Sequence, residues 1–164
     1  MKFRELGGIL CMQGTSLRMK GVVYKVCVHS VLTYGAETWV MKAGVFQRLR
    51  ATKRRMLRMI CRMTLKDMVE STVIASRVGV DNLEEHLRQK SLRWFGHIAR
   101  IDEEVEIKKV FELKIEGRRK RGRPVKWWID MVEEDMKKKG VVQQDAGDRE
   151  CWRRRAVKGI ANPC

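Results

Sequence analysis

Long apolar runs are missing from this chain. No stretch approaches the roughly 18 uninterrupted apolar residues that a membrane-spanning helix needs, and no charged-then-apolar leader opens the sequence, so neither a membrane partner nor secretion is expected. Sustained two-residue alternation of apolar and polar side chains is missing too, which leaves no pattern from which to build a sheet. Cys11, Cys27, Cys61, Cys151 and Cys164 are odd in number and scattered, with no CxxC pair and no histidine at zinc-finger spacing. They are expected to be reduced thiols of an intracellular protein, cytoplasmic or nuclear, rather than a disulfide framework. Cys27 and His29 lie two positions apart on an expected helix, which turns them to different faces and argues against a metal site there.

The patterns of catalysis are equally scarce. There is no glycine-rich phosphate loop, no GxSxG and no Cys/His dyad at a usable spacing. Two-metal phosphoryl chemistry needs carboxylates that converge. The densest acidic group, Glu133, Glu134 and Asp135, is consecutive, and on a helix three such residues fan out over roughly 200°. His97, in "GHIAR", is expected to satisfy a neighbouring carbonyl rather than to act on a substrate. The expectation is a protein with no enzymatic activity, no cofactor and no small-molecule substrate.

What the chain has is positive charge. Its 164 residues are about one domain's length and carry 36 Lys and Arg against 20 Asp and Glu, a formal net charge of +16. The distribution is uneven: residues 1–66 hold 14 basic and 2 acidic groups. A second concentration, "GRRKRGRPVK", places six basic side chains in the ten residues 117–126, next to the pair Trp127 and Trp128. Charge gathered in this way points to a polyanion partner.

Helical periodicity runs throughout, and the fold class expected is mainly α: a single small domain of about five to seven helices with a basic loop. The first helix, 16–34, is capped at Thr15 or Ser16 and ends before Gly35. A second, about 44–63, places Phe46, Leu49, Met56, Leu57 and Ile60 on one side and Arg48, Arg50, Lys53, Arg54, Arg55, Arg58 and Arg62 on the other, with no acid among them. A third, about 71–78, is capped by Ser71 and closed by Gly79. Asn82 and Glu85 form a capping-box-like start for a fourth, with Leu87, Ser91, Trp94, Ile98 and Ile101 as its buried stripe. Residues 105–114 fit either a short helix or an extended piece, and 117–123 read as loop. Pro124 suits the first turn of the next helix, and Lys137, Lys138 and Lys139 suit its negative end before Gly140. On adjacent positions about 100° apart, one of Trp127 and Trp128 can anchor the core with Met131 and Val132 while the other packs elsewhere or is exposed, or both can be buried. A last helix opens at Asp148 and runs to about Ile160. The organisation expected is a lead-in over 1–15, a helical region over 16–139, a linker over 140–147, and a final helix and tail over 148–164.

Five segments, "VLTYGAETWVM" (31–41), "ATKRRMLRMICRM" (51–63), "LRWFGHIARID" (92–102), "GRRKRGRPVKWWIDMVEEDM" (117–136) and "DRECWRR" (148–154), resemble in content and order the region downstream of the polymerase palm in reverse transcriptases of non-LTR, LINE-type retrotransposons. The resemblance spans roughly residues 15–163. It implies a thumb and the connection beyond it, without the palm's Tyr/Phe-Ala-Asp-Asp aspartates and without an endonuclease, as in a truncated element. Such a piece would hold an RNA or DNA duplex by its backbone and could serve a complete retroelement polyprotein. The nucleic-acid-binding residues it implies are Arg48, Lys53, Arg54, Arg55, Arg58 and Arg62 from the second helix and Arg118, Arg119, Lys120, Arg121, Arg123 and Lys126 from the loop. Two positions depart from the family pattern: Arg62 stands where a glycine usually closes the helix, and Trp127 where a polar residue is usual. The cysteine-histidine knuckle of some relatives is also missing.

Other readings compete. "RGRP" (121–124) matches the core of an AT-hook, a flat strand in a narrow A·T minor groove. The second helix, basic and Met-rich, can be read as a calmodulin target or a membrane-surface helix. A non-functional mobile-element remnant is the remaining alternative.

Overall fold

A computed structural model describes residues 2–40, 42–113 and 126–160; the described residues are mainly helical and contain no strand. The chain divides into two compact units, Met1–Gly35 with Met41–His86, and Ala36–Val40 with Leu87–Cys164. Each has its own apolar cluster.

In the first unit, residues 1–15 contribute more than a lead-in. They form α1 (Lys2–Glu5) and α2 (Gly7–Leu10), whose Phe3 and Leu10 are buried. Ser16 caps α3 (Leu17–Val23) by accepting the Met19 N–H at 3.3 Å. That helix continues without a break through a π-helical turn, Tyr24–His29, into α4 (Ser30–Leu32), matching the expected 16–34 helix. α5 (Ala43–Cys61) follows and buries Met56, Leu57 and Ile60. It ends with Arg62 at φ 55°, the left-handed conformation that a glycine normally supplies, and Met63 N–H closes the turn on the Arg58 carbonyl at 2.9 Å. The N-cap position of α6 (Ser71–Val78) is Glu70 rather than Ser71, because Ser71 already lies in the first helical turn, and the Glu70 side chain makes no capping bond. Gly79, at φ 70°, closes it as expected. Gly21 fixes how α3 and α6 meet, since a β-carbon there would overlap the backbone carbonyl of Val78.

Among the described residues, the core of this unit holds an unfavourable polar group at Tyr24. Tyr24 is fully buried, yet its hydroxyl has no hydrogen-bond partner among the described residues, and burial pushes its pKa up to about 12. Tyr24→Phe is expected to stabilise the protein by about 1 kcal/mol at neutral pH, because it deletes a desolvated hydroxyl and keeps the ring. Above pH 10 the unfolded phenol ionises while the folded one keeps its proton. Stability from this group is therefore complete below about pH 10 and is lost as pH rises towards 12, by up to about 3 kcal/mol. Denaturation of both proteins across that pH range checks this, and parallel stability profiles would count against it.

The second unit is built on α7 (Leu83–Ala99), whose residues 83–86 belong to the first unit. Asn82 caps it through Oδ1 and the Glu84 N–H at 2.9 Å. Its buried side chains beyond His86 are Leu87, Leu92, Phe95 and Ile98, whereas Ser91, Trp94 and Ile101 of the expected stripe are only half-buried. Residues 105–114 resolve as helix over α8 (Glu106–Glu112). α9 (Trp128–Lys139) opens four positions later than expected. The reason is the Asp130 carboxylate, which accepts the Trp127 N–H at 2.7 Å and so makes Trp127 the last residue before the helix. Pro124 and the basic loop 117–123 lie outside the described residues.

Segment 140–147 is folded rather than a free linker: it forms a 3-10 turn, Gln143–Gly147, and buries Val141 and Ala146 in the unit's core. Asp148 then caps α10 (Arg149–Trp152) by accepting the N–H groups of Glu150 and Cys151, bonds that hold its carboxyl below the usual carboxylate range. A π-helical turn, Arg153–Val157, ends the helix before Ile160, as Gly159 turns left-handed at φ 69°. Trp152 lies under α7, its indole N–H donated to the Leu92 carbonyl at 2.9 Å, and a β-carbon on Gly96 would overlap that indole. Cys11, Cys27 and Cys61 are free thiols, as expected. Cys151 is disulfide-bonded, a correction to the expectation of five reduced thiols; folding sets such pairings, and chain spacing does not reveal them.

Candidate nucleic-acid interface

The basic side chains of α5 and of Arg62 at its end divide into four groups. Arg48, Arg54 and Arg55 are exposed and make no side-chain hydrogen bond or ion pair among the described residues. Arg58 and Arg62 are engaged with the backbone. The Arg58 guanidinium, half-buried, donates to the carbonyls of Thr64 at 3.0 Å and Val69 at 2.9 Å, and Arg62 donates to that of Cys11 at 2.9 Å. Arg50, which was expected on the basic side, pairs with Glu84.

Lys53 falls in neither the exposed nor the backbone-engaged outward group. It is 7% exposed, its ammonium donates to the Asp81 carbonyl, and desolvation lowers its pKa. This corrects its placement on the nucleic-acid face. Positions 46, 49, 53, 56, 57 and 60 follow helical spacing, so Lys53 occupies a place in the apolar stripe and reaches a carbonyl from there.

Arg54, Arg55 and Arg58 line a cavity of about 510 Å³ together with Ala51, Met59 and Ser71, and no carboxylate lines it. Ser71 begins α6, whose first turn receives no side-chain cap from Glu70. Cations beside unfilled helical N–H groups suit an anionic oxygen.

Of the loop residues, Arg118, Arg119, Lys120, Arg121 and Arg123 lie outside the described residues. Lys126 is exposed and paired with Glu134 at 2.6 Å. Its neighbours divide as one of the two expected arrangements has it: Trp127 is 54% exposed, while Trp128 packs on Phe111 and donates its indole N–H to the Glu37 carbonyl at 2.7 Å. The acidic triplet fans out. Glu134 meets Lys126, Asp135 meets Arg88 at 2.8 Å, and Glu133 is exposed.

Sequence reasoning overlooked one face of α7. Lys90, Arg93, Trp94 and His97, with Glu37, line a cleft of about 280 Å³. His97 is exposed there, so it is not the buried residue satisfying a carbonyl that "GHIAR" suggested. The spacing 90, 93, 94, 97 was a usable signal, since it puts four side chains on one helical face.

Among the described residues no group of His, Cys, Asp and Glu is placed to hold a metal, and no helix is long and apolar enough to cross a membrane. No family model, curated protein or solved structure matches the chain.

Proposed function

We propose that this chain is a non-catalytic, thumb-like piece of a non-LTR retrotransposon reverse transcriptase that grips an RNA or DNA duplex through its phosphates without reading its sequence. The observation that carries the proposal is the acid-free cavity walled by Arg54, Arg55 and Arg58, with Arg48 also exposed on α5. Phosphate contacts from such a surface position a duplex and carry no sequence information. The basic run at 118–126 adds cations in the same sense, and a complete retroelement polyprotein is the partner that the resemblance implies.

Fluorescence anisotropy with duplex RNA and with A·T-rich and G·C-rich duplex DNA, over a salt series, tests the proposal. Similar affinities for both DNA sequences are expected. The slope of log K against log[salt] should be roughly −5 to −7, as for about six to eight neutralised phosphates. Binding confined to A·T-rich DNA would favour a minor-groove hook at "RGRP", and binding indifferent to salt would remove the phosphate grip altogether.

A further inference from the structure

We propose that the cleft lined by Glu37, Lys90, Arg93, Trp94 and His97 binds one unpaired guanine base, stacked on Trp94. This goes beyond a backbone grip, because it reads base identity. The cleft holds about 280 Å³, at the lower limit of small-molecule sites, which is room for a single heterocycle and far too little for a duplex. The Trp94 and His97 rings stand 5.4 Å apart at 48°, so they form two walls rather than a parallel sandwich, and a base has one ring to stack on.

The base is selected by Glu37. Its Oε2 is buried and accepts no hydrogen bond among the described residues, and the Lys90 ammonium stands 3.7 Å away, close enough to balance the charge but beyond a good hydrogen bond. A buried carboxylate oxygen in this position calls for a donor. Guanine presents two adjacent donors on one edge, N1–H and the N2 amino group, matched to a carboxylate's two oxygens. Adenine, cytosine and uracil offer no such pair. The carboxylate is also firmly mounted: Glu37 belongs to the 3-10 turn Ala36–Thr38, Ala36 is fully buried, and the Glu37 carbonyl is held by the Trp128 indole. Arg93, exposed on the same helical face, supplies a cation for the nucleotide's phosphate.

Isothermal titration of the full chain with the four nucleoside 5′-monophosphates decides the matter. Guanosine monophosphate should bind on the order of tenfold or more tighter than adenosine monophosphate. Glu37→Gln should abolish that preference, because an amide N–H₂ would face guanine's own donors; far-UV circular dichroism establishes that the variant is folded. Arg93→Ala should weaken guanosine monophosphate but leave guanosine unchanged. No binding of any nucleotide, equal binding of all four, or a guanine preference that survives Glu37→Gln would each overturn the proposal. Duplex binding over the salt series should be unaltered by Glu37→Gln, so failure of the phosphate grip and failure of the base pocket are separately visible.

Discussion

Gly21→Ala should lose about 3 kcal/mol or more of folding stability. Its added β-carbon would overlap the Val78 carbonyl, a backbone atom that cannot rotate away, and α3 would have to move off α6. Val78 and Ile74 of α6 are both 1% exposed, so any such shift opens packed apolar surface as well as straining the backbone. Gly44→Ala is the matched comparison. Gly44 lies in the first turn of α5 with nothing within 4 Å of the added atom, so alanine there should gain up to about 1 kcal/mol through helix propensity. Urea denaturation distinguishes the two, with midpoints moving in opposite directions at constant m. Equal midpoints would mean that α3 and α6 do not meet at Gly21.

Replacing Arg48, Arg54 and Arg55 together with Gln should lower the steepness of the salt dependence by up to about 3, since each lost phosphate contact removes close to one released counterion. These three are chosen because they are exposed and otherwise unbonded among the described residues. Arg58 is excluded because its guanidinium holds the Thr64 and Val69 carbonyls, so its loss would act on folding. Lys53→Gln should likewise destabilise the protein with little change in slope, as the buried ammonium bonds Asp81. Replacing Lys137, Lys138 and Lys139 should change the slope far less than the arginine triple. A larger effect from the lysines would move the binding face away from α5.

Much of this fold could be read from local signals. The Ser16 cap, the Gly79 and Gly140 stops and the 3.6-residue periodicity act within a turn or two of the residues concerned, so the helices fall close to their expected positions. Lys53 follows its spacing, which lies on the apolar stripe, and not its residue type, which suggests the basic side. Arg62 shows the converse: a left-handed helix end is kept although the glycine that usually favours it is absent. The start of α9 depended on Asp130 reaching back to Trp127, a short-range bond that Pro124 obscured.

The site was less legible. Helical spacing can collect Lys90, Arg93, Trp94 and His97, but it says nothing of Glu37, which joins them only through folding. The same holds for Gly96, whose need for a missing side chain becomes visible only when Trp152 is placed beside it. Contacts between residues far apart in sequence leave no periodic trace.

The division into two cores also sorts the chromophores. Trp39, Trp94, Trp127, Trp128 and Trp152 all belong to the second unit, and both tyrosines, Tyr24 and Tyr34, belong to the first. Indole emission therefore follows the melting of one core, and phenol absorbance follows the other. Superimposable curves from the two chromophores would mean that both cores melt in one cooperative step, and separated curves would give each core its own midpoint without labels or mutations.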